Sequence, residues 1–425
     1  MNGLFFAIIL TAFVVAAWHQ ITGAPADVTP MDALSKAVID TAGSSVELAL
    51  GLVGVMTFFL GLMKVAEAGG LLTVIAKLLR PVMTKLFPDV PPDHPAMGAM
   101  IMNVSANVLG LGNAATPFGI RAMQELDKLN PFKGTTTNAM ALFLAINTSA
   151  VTLLPTGVVA LRAAAGSQDP AGIVPTTLFA TLCSTTVAIL MAKLLAPRWP
   201  MPSAQAEAAE QAPRQEEQEV GEVIGGAYPG WVSALVMAGF LALIPLTIVW
   251  GKQIAPWIIP GLAVGLLGYG FARRVRVYEA FVEGAKDGFQ VAIRIIPYLV
   301  AILVAVGMFR VSGAMDLIIM PLGVLTEPLG LPADALPMAL LRPLSGSGAY
   351  GILAAILNDP AIGPDSYTGY LVSTIQGSTE TTFYVLAVYF GAVGIRRIRH
   401  ALVAALCADV AGVVGSVVIC SALYG

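Results

Sequence analysis

Ser373-Thr374-Ile375-Gln376-Gly377-Ser378-Thr379-Glu380-Thr381-Thr382 is the stretch on which the reading of this 425-residue chain turns. Eight of its ten side chains can hydrogen-bond, yet Phe383-Tyr384-Val385-Leu386-Ala387-Val388-Tyr389-Phe390 follows at once and reads as membrane-buried. An ionisable carboxylate is expensive in such a place and marks a pathway or a binding site. The plainer alternative is a helix–helix contact held by Ser and Thr hydroxyls. The polar groups form a cluster, as a binding site requires.

The surrounding composition supports a bilayer setting. The chain is 57% hydrophobic and 12% charged, with mean hydropathy +0.80. Soluble domains carry roughly twice that share of charge. Apolar runs of membrane-spanning length recur along the chain, so the expected class is an all-α polytopic membrane protein in contact with the lipid bilayer. A barrel would show short alternating segments instead. No basic arm or patch suggests nucleic acid. Cys183, Cys407 and Cys420 stand singly, and His19, His94 and His400 lack partners at metal-ligand spacing, so neither a disulfide framework nor a metal site is expected.

Taken in order, Leu4–Trp18 reads as a retained first span. A signal peptide is the alternative, since Ala24-Pro25-Ala26 has the form of a cleavage site but Met1-Asn2-Gly3 supplies no basic start. Met31–Thr41 reads as a short amphipathic segment, and Ser44–Val65 as the second span. Leu71–Leu86, with Lys77, Arg80 and Lys85, suits a helix lying on the membrane surface. Met97–Thr116 is apolar but too interrupted for a plain span. A re-entrant hairpin or broken helix is the better reading, against a continuous helix with a small-residue face. Spans follow at Asn138–Leu161 and Ile173–Leu195. Residues 1–200 thus form a first membrane half, 201–227 an acidic linker rich in Ala, Gln and Glu, and 228–425 a second half. The second half reads as a tight pair of spans, Trp231–Trp250 and Ile254–Phe271, and a polar helical turn at Tyr278–Gly288. Then come a span at Ile293–Met308, a surface helix at Leu317–Leu329, and Asp334–Leu357, interrupted at Arg342-Pro343-Leu344-Ser345-Gly346-Ser347-Gly348. The opening stretch and its continuation form a span over Gly369–Phe390, and Ala401–Leu423 closes the chain.

The halves repeat. At an offset of 240, Pro81 matches Pro321, Pro88 matches Pro328, Pro92 matches Pro332, Ser105 matches Ser345 and Asn107 matches Ser347. Interrupted apolar segments fall at corresponding places, which is the best pointer in a sequence to a carrier site. Arg273–Arg276 and Arg396–Arg399 belong in the cytoplasm by the positive-inside rule, together with Lys64, Lys77, Arg80 and Lys85, whereas Val311–Leu341 has neither Lys nor Arg. The two copies are therefore inverted, with the N-terminus and the linker cytoplasmic.

Half-helix N-termini at the interruptions would offer free N–H groups to oxygen-rich or anionic groups. Asn103, Ser105 and Asn107 stand at one break; Ser345 and Ser347 stand at the other. Ser373 and Gln376 are spaced as a capping box. On a continuous helix Gln376 and Glu380 share a face. With Ser378, Thr379, Asn147 and Thr148 these are the candidate substrate contacts. Glu380 and Asp409 are the candidate coupling-ion residues, for a proton or sodium. Arg342 is expected to pair with an acidic partner or to mark an interface. No nucleophile–base pair or phosphate loop is present, so no enzyme and no cofactor is expected.

These residues carry a family resemblance. Asn103-Val-Ser-Ala-Asn-Val-Leu-Gly-Leu-Gly-Asn-Ala-Ala-Thr-Pro-Phe-Gly119 resembles the signature of the spore maturation protein A family. Arg342–Gly348, Ser373–Tyr384 and Ala387–Ile395 resemble spore maturation protein B. The chain looks like a fusion of the two, both of which carry the nucleoside-recognition, or Gate, domain. That resemblance implies an elevator-like inverted-repeat carrier core in a bacterial inner membrane, moving a small polar solute with proton or sodium coupling. A homo-oligomer is the expected assembly. The competing classes are a non-transporting scaffold or regulator of envelope or spore maturation, and a channel.

Overall fold

The computed structural model describes residues 2–23, 28–110, 112–150, 152–200 and 229–425; the acidic segment read as a linker lies outside the described residues. Within them the chain is helical, and its β content is one isolated bridge between Thr135 and Arg397. Phe5–Thr22, Pro170–Arg198 and Ala401–Tyr424 are each long and apolar enough to cross a membrane.

After α1 (Asn2–Thr22), the first half runs α2 (Pro30–Ala68), α3 (Leu71–Leu86), α4 (Pro95–Val108), α5 (Gly112–Lys128), α6 (Asn138–Thr148), α7 (Thr156–Ala164) and α8 (Ile173–Leu195). After α9 (Gly230–Ala272), the second half gives the same order: α10 (Val277–Val311), α11 (Ala314–Thr326), α12 (Leu336–Leu341), α13 (Gly346–Leu357), α14 (Tyr367–Ser378), α15 (Thr382–Gly391) and α16 (Ala401–Tyr424). The repeat extends to local chemistry. The turn from α2 to α3 uses Gly70 at φ 80°, and that from α10 to α11 uses Gly313 at φ 77°. Only glycine takes this left-handed conformation without steric cost. At the first of these turns the chain bends by 69°, as a surface helix following a span requires.

Three junctions differ from the sequence reading. Met31–Thr41 is the first part of α2, the two spans read between Trp231 and Phe271 are one helix of 43 residues, and Tyr278–Gly288 opens α10. Gly251-Lys252-Gln253 between the apolar runs contains no proline, and Lys and Gln are good helix formers, so a polarity change alone did not end the helix.

The halves are inverted. Corresponding helices pack against each other and run antiparallel: Gly307 of α10 lies against Thr41, Gly288 against Thr57 and Gly284 against Leu60 of α2. In α16, Gly412 lies against Ser184, Gly415 against Cys183, and Tyr424 bonds to Gly172 before α8. Apolar burial distinguishes little between helices already in lipid, so close backbone approach at small residues supplies the contact. A Cβ on Gly288 would sit 2.6 Å from Thr57 Cα and 2.8 Å from Met56 O, both backbone atoms. Gly288→Ala is therefore expected to destabilise the protein by about 1–3 kcal/mol. Gly98→Ala, with open space around it, should leave the thermal midpoint in detergent unchanged or raised. Equal midpoints for Gly288→Ala and wild type would contradict this packing.

Two apolar cores follow. One gathers α4, α6 and α15 around Met97, Met100, Phe143, Leu144 and Phe390; the other gathers α7, α13 and α14 around Val158, Leu161, Leu353, Leu371 and Ile375. Each core takes a broken-helix segment from both halves. The breaks themselves lie between the cores.

Candidate functional site

α4–α5 and α12–α13 are helical hairpins. At about 1.5 Å per residue, the 14 residues of α4 and 12 of α13 fall short of the roughly 30 Å hydrocarbon core. The hairpins therefore enter and turn back, and they do so from opposite ends. α5 leads into the start of α6, whereas α13 leads into the start of α14 at the other end. Their tips stop at the unwound stretches of the broken helices. Leu153 N–H donates to Val108 O at 3.1 Å, and its counterpart Phe383 N–H donates to Pro343 O at 3.1 Å. The two breaks are joined directly, because Glu380 N–H donates to Thr148 O at 2.8 Å. These bonds satisfy backbone groups that lipid could not.

The polar stretch is thus not one continuous span. α14 ends at Ser378, Thr379 is extended at φ −135° and ψ 163°, and α15 starts at Thr382. Gln376 and Glu380 do not share a helix face. Ser373 is not a cap either: it lies inside α14, where its hydroxyl donates to Gly369 O at 2.6 Å, and Ser366 caps the helix through Gly369 N. Asn138–Leu161 is broken likewise, between Thr148 and Thr156. Thr137 caps α6 as Ser366 caps α14. Counting from those caps, Asn147 is equivalent to Gln376 and Ser149 to Ser378. The offset of 240 holds at the prolines and then fails, because α4 has 14 residues where α12 has six. Ser105 and Ser345 are consequently not equivalent, nor are Asn107 and Ser347.

Around the breaks the side chains form two linked groups. In the first, Asn103 donates through Nδ2 to Ala115 O at 2.7 Å and to the Tyr389 hydroxyl at 3.1 Å. Asn147 Oδ1 accepts from Asn107 Nδ2 at 3.0 Å and from the Tyr389 hydroxyl at 3.3 Å. Tyr389 stacks on Phe143 with centroids 6.1 Å apart, and its hydroxyl fills the space a side chain on Gly119 would need. In the second, buried Arg342 donates through Nη1 to Thr381 Oγ1 at 3.0 Å and through Nη2 to the Thr379 carbonyl. Its Nη2 also lies 3.6 Å from Glu380 Oε2. Thr382 Oγ1 donates to Asp409 Oδ2 at 2.7 Å, and Asp409 is 5% exposed. Glu380, at the mouth of the break, keeps 47% of its side chain exposed. The carboxylate precedes the N-terminus of α15, where the helix dipole favours negative charge.

Of the residues expected in a site, Asn103, Asn107, Asn147, Gln376, Glu380 and Asp409 are brought to this region. Thr379 contributes its carbonyl, and Thr148 contributes the carbonyl that joins the breaks. Ser105 bonds back to Ile101 O, Ser345 caps α13 through Gly348 N, Ser347 is exposed, and Ser378 bonds to Ile375 O. Those four hydroxyls are occupied locally or face away. Sequence reasoning missed Tyr389, Thr381 and Thr382 as polar partners. Tyr389 sits in an apolar run whose only signal was a phenol at membrane depth.

A further cluster closes one end of the broken pair. Arg162, fully buried, donates to Pro364 O at 2.6 Å, Asp169 O at 3.2 Å and Asp365 Oδ1 at 3.1 Å, and stacks 4.2 Å above the Tyr370 ring. Burial raises the pKa of the Asp169 carboxyl in the adjoining loop, and the Arg162 charge opposes that shift. The opposite end is tied by Arg399, which donates to Thr136 O at 2.9 Å and to Asn138 Oδ1 at 3.0 Å. Among the described residues no group of three His, Cys, Asp or Glu could hold a metal ion.

Fold and site together define an inverted-repeat helical membrane protein with paired re-entrant hairpins. Residues 49–165 and 292–396 match the family model described as nucleoside recognition, Gate. Spore maturation protein B of Bacillus subtilis (strain 168) is 47% identical over 177 residues, covering 41% of this chain and 98% of that protein. Spore maturation protein A of the same organism is 48% identical over 158 residues, covering 37% of this chain and 81% of that protein. The chain belongs to the nucleoside-recognition Gate family. Two solved transporter-sized likenesses are weaker. A structure of CNTnw in an intermediate state gives TM-score 0.39 at 16% identity, covering 100% of this chain and 92% of that one. The Alcanivorax borkumensis YdaH transporter gives TM-score 0.41 at 15% identity, covering 98% and 97%.

Proposed function

We propose that this protein is a secondary active carrier of the bacterial inner membrane. It moves a small polar solute by alternating access, with its N-terminus and acidic segment in the cytoplasm. The observation that carries the reading is the meeting of two oppositely entering hairpin tips with two helix breaks, at which Arg342, Glu380 and Asp409 are gathered. Inverted repeats with discontinuous helices place solute and coupling ion at such a junction. With both carboxylates ionised, one guanidinium faces two negative charges. A buried carboxylate with a single hydrogen-bond donor is costly unless a proton or cation joins it. Proton coupling through Asp409 and Glu380 follows from that imbalance, and sodium is the alternative ion.

Protein reconstituted in liposomes with a trapped pH dye is expected to show saturable uptake from a panel of labelled polar solutes, accompanied by a lumenal pH change. Glu380→Gln should reduce both at least tenfold. Full uptake with an unaltered pH signal in that variant would remove Glu380 from coupling. The names of the two Bacillus relatives favour a second reading, a membrane scaffold in spore or envelope maturation. A scaffold would tolerate Glu380→Gln and show no protein-dependent uptake.

A further inference from the structure

The polar atoms around the junction are unbalanced in a way that bears on what the solute must be. Three buried acceptor atoms lack any partner: Asn103 Oδ1, Gln376 Oε1 and Asp409 Oδ1, on residues 0%, 4% and 5% exposed. Asn103 cannot be turned to remove its orphan, because its Nδ2 is held by the Ala115 carbonyl at 2.7 Å. An ionised carboxylate has only acceptors to offer, and Asp409 is counted here in the state that has released its coupling proton. Glu380 adds a carboxylate that is 47% exposed. Against these stand two unpartnered groups that can donate, Arg342 Nε, whose terminal nitrogens are already engaged, and the hydroxyl of Thr177 beside Gly377. The groups lie within electrostatic reach of one another. Arg342 lies 3.6 Å from Glu380, the Glu380 N–H bonds to Thr148 beside Asn147, Tyr389 bridges Asn147 and Asn103, and Thr382, two residues after Glu380, holds Asp409. Native proteins leave few buried polar atoms unpaired, so an acceptor-rich set is a template for donors.

We infer that the solute taken by this site is a hydrogen-bond donor without anionic groups, presenting several N–H or O–H groups to these acceptors. This rests on the carrier reading and narrows it. Phosphate or carboxylate groups would face the orphan oxygens and the surplus carboxylate with fewer donors than acceptors to receive them. Two sources offer the required chemistry, a protonated amine and a polyhydroxyl compound. They differ at Glu380. An ammonium needs the charge there, whereas hydroxyls are served by a neutral amide.

The test uses the full-length protein in detergent and four probes in matched pairs: cadaverine against glutarate, and ribose against ribose 5-phosphate. Titration with cadaverine or ribose is expected to raise the thermal midpoint, with affinity at least tenfold weaker in Gln376→Leu. Glutarate and ribose 5-phosphate should leave the midpoint unmoved. A response to cadaverine and not to ribose, weakened by Glu380→Gln, makes the solute an amine; a response to ribose and not to cadaverine, kept in Glu380→Gln, makes it a polyol. Stabilisation by either anion, lost in Arg342→Gln, overturns the inference while leaving a carrier intact. Silence from all four probes also overturns it. A probe that stabilises the protein but does not enter proteoliposomes sinks the carrier reading and leaves the donor preference standing.

Discussion

Arg162→Ala is expected to lose about 3–5 kcal/mol of stability, among the largest single-site effects in the molecule. The side chain is fully buried, and four kinds of contact end with it: two carbonyl bonds, an ion pair, a hydroxyl bond to Ser167 and the stack on Tyr370. The Coulomb part of the ion pair is modest, because the Asp365 side chain is 36% exposed and solvent screens it. Most of the loss comes from carbonyls left without donors and from a desolvated cation–π contact, each worth about 1–3 kcal/mol. Lysine supplies charge without the planar fork, so Arg162→Lys should recover less than half. Thermal unfolding in detergent, followed by intrinsic fluorescence, measures this. A loss under about 1 kcal/mol would mean that the cluster does not hold the two halves together at this end.

Arg342→Met should be comparably damaging for a different reason. Removing this guanidinium leaves Glu380 and Asp409 without a counter-charge, and it frees the Thr379 carbonyl and the Thr381 hydroxyl. Solvent screens the Glu380 charge, which is 47% exposed, so most of the loss comes from the buried groups left unsatisfied, each worth about 1–3 kcal/mol. The signature is the rescue. Arg342→Met combined with Asp409→Asn should be more stable than Arg342→Met alone, with a coupling of about 1–3 kcal/mol. Additive losses in that double-mutant cycle would show that Asp409 does not feel Arg342.

Much of the architecture is legible along the chain because it is written in local terms. Apolar runs, proline positions and the Lys and Arg asymmetry each report on neighbours in sequence, and they suffice for helices, interruptions and inversion. Helix breaks at Thr379–Thr381 and Ser149–Pro155 are harder. Thr379–Thr381 carry no proline or glycine to stop a helix, Pro155 alone marks the other break, and the backbone bonds at the breaks come from hairpin tips 40 or more positions away, as Val108 to Leu153 and Pro343 to Phe383 show. Met31–Thr41 and Gly251–Gln253 proved helical because neither stretch contains a proline, and a change of polarity alone does not end a helix.

What the amino-acid sequence determined by itself is the class of protein, its two related halves and the approximate polar depth of each. It also singled out Asn103, Asn107, Asn147, Gln376, Glu380 and Asp409 by their cost in an apolar setting. Only the tertiary structure decided their partners. Asn147 meets Tyr389, Arg342 meets Glu380, Thr382 meets Asp409 and Arg162 meets Asp365. Two of those pairings cross between halves, more than 200 residues apart, and exist because the broken helices lie antiparallel with both breaks at one level. Periodicity and propensity act over a few residues along the chain. The register between two inverted halves is set by packing across them, and so is the chemistry where they meet.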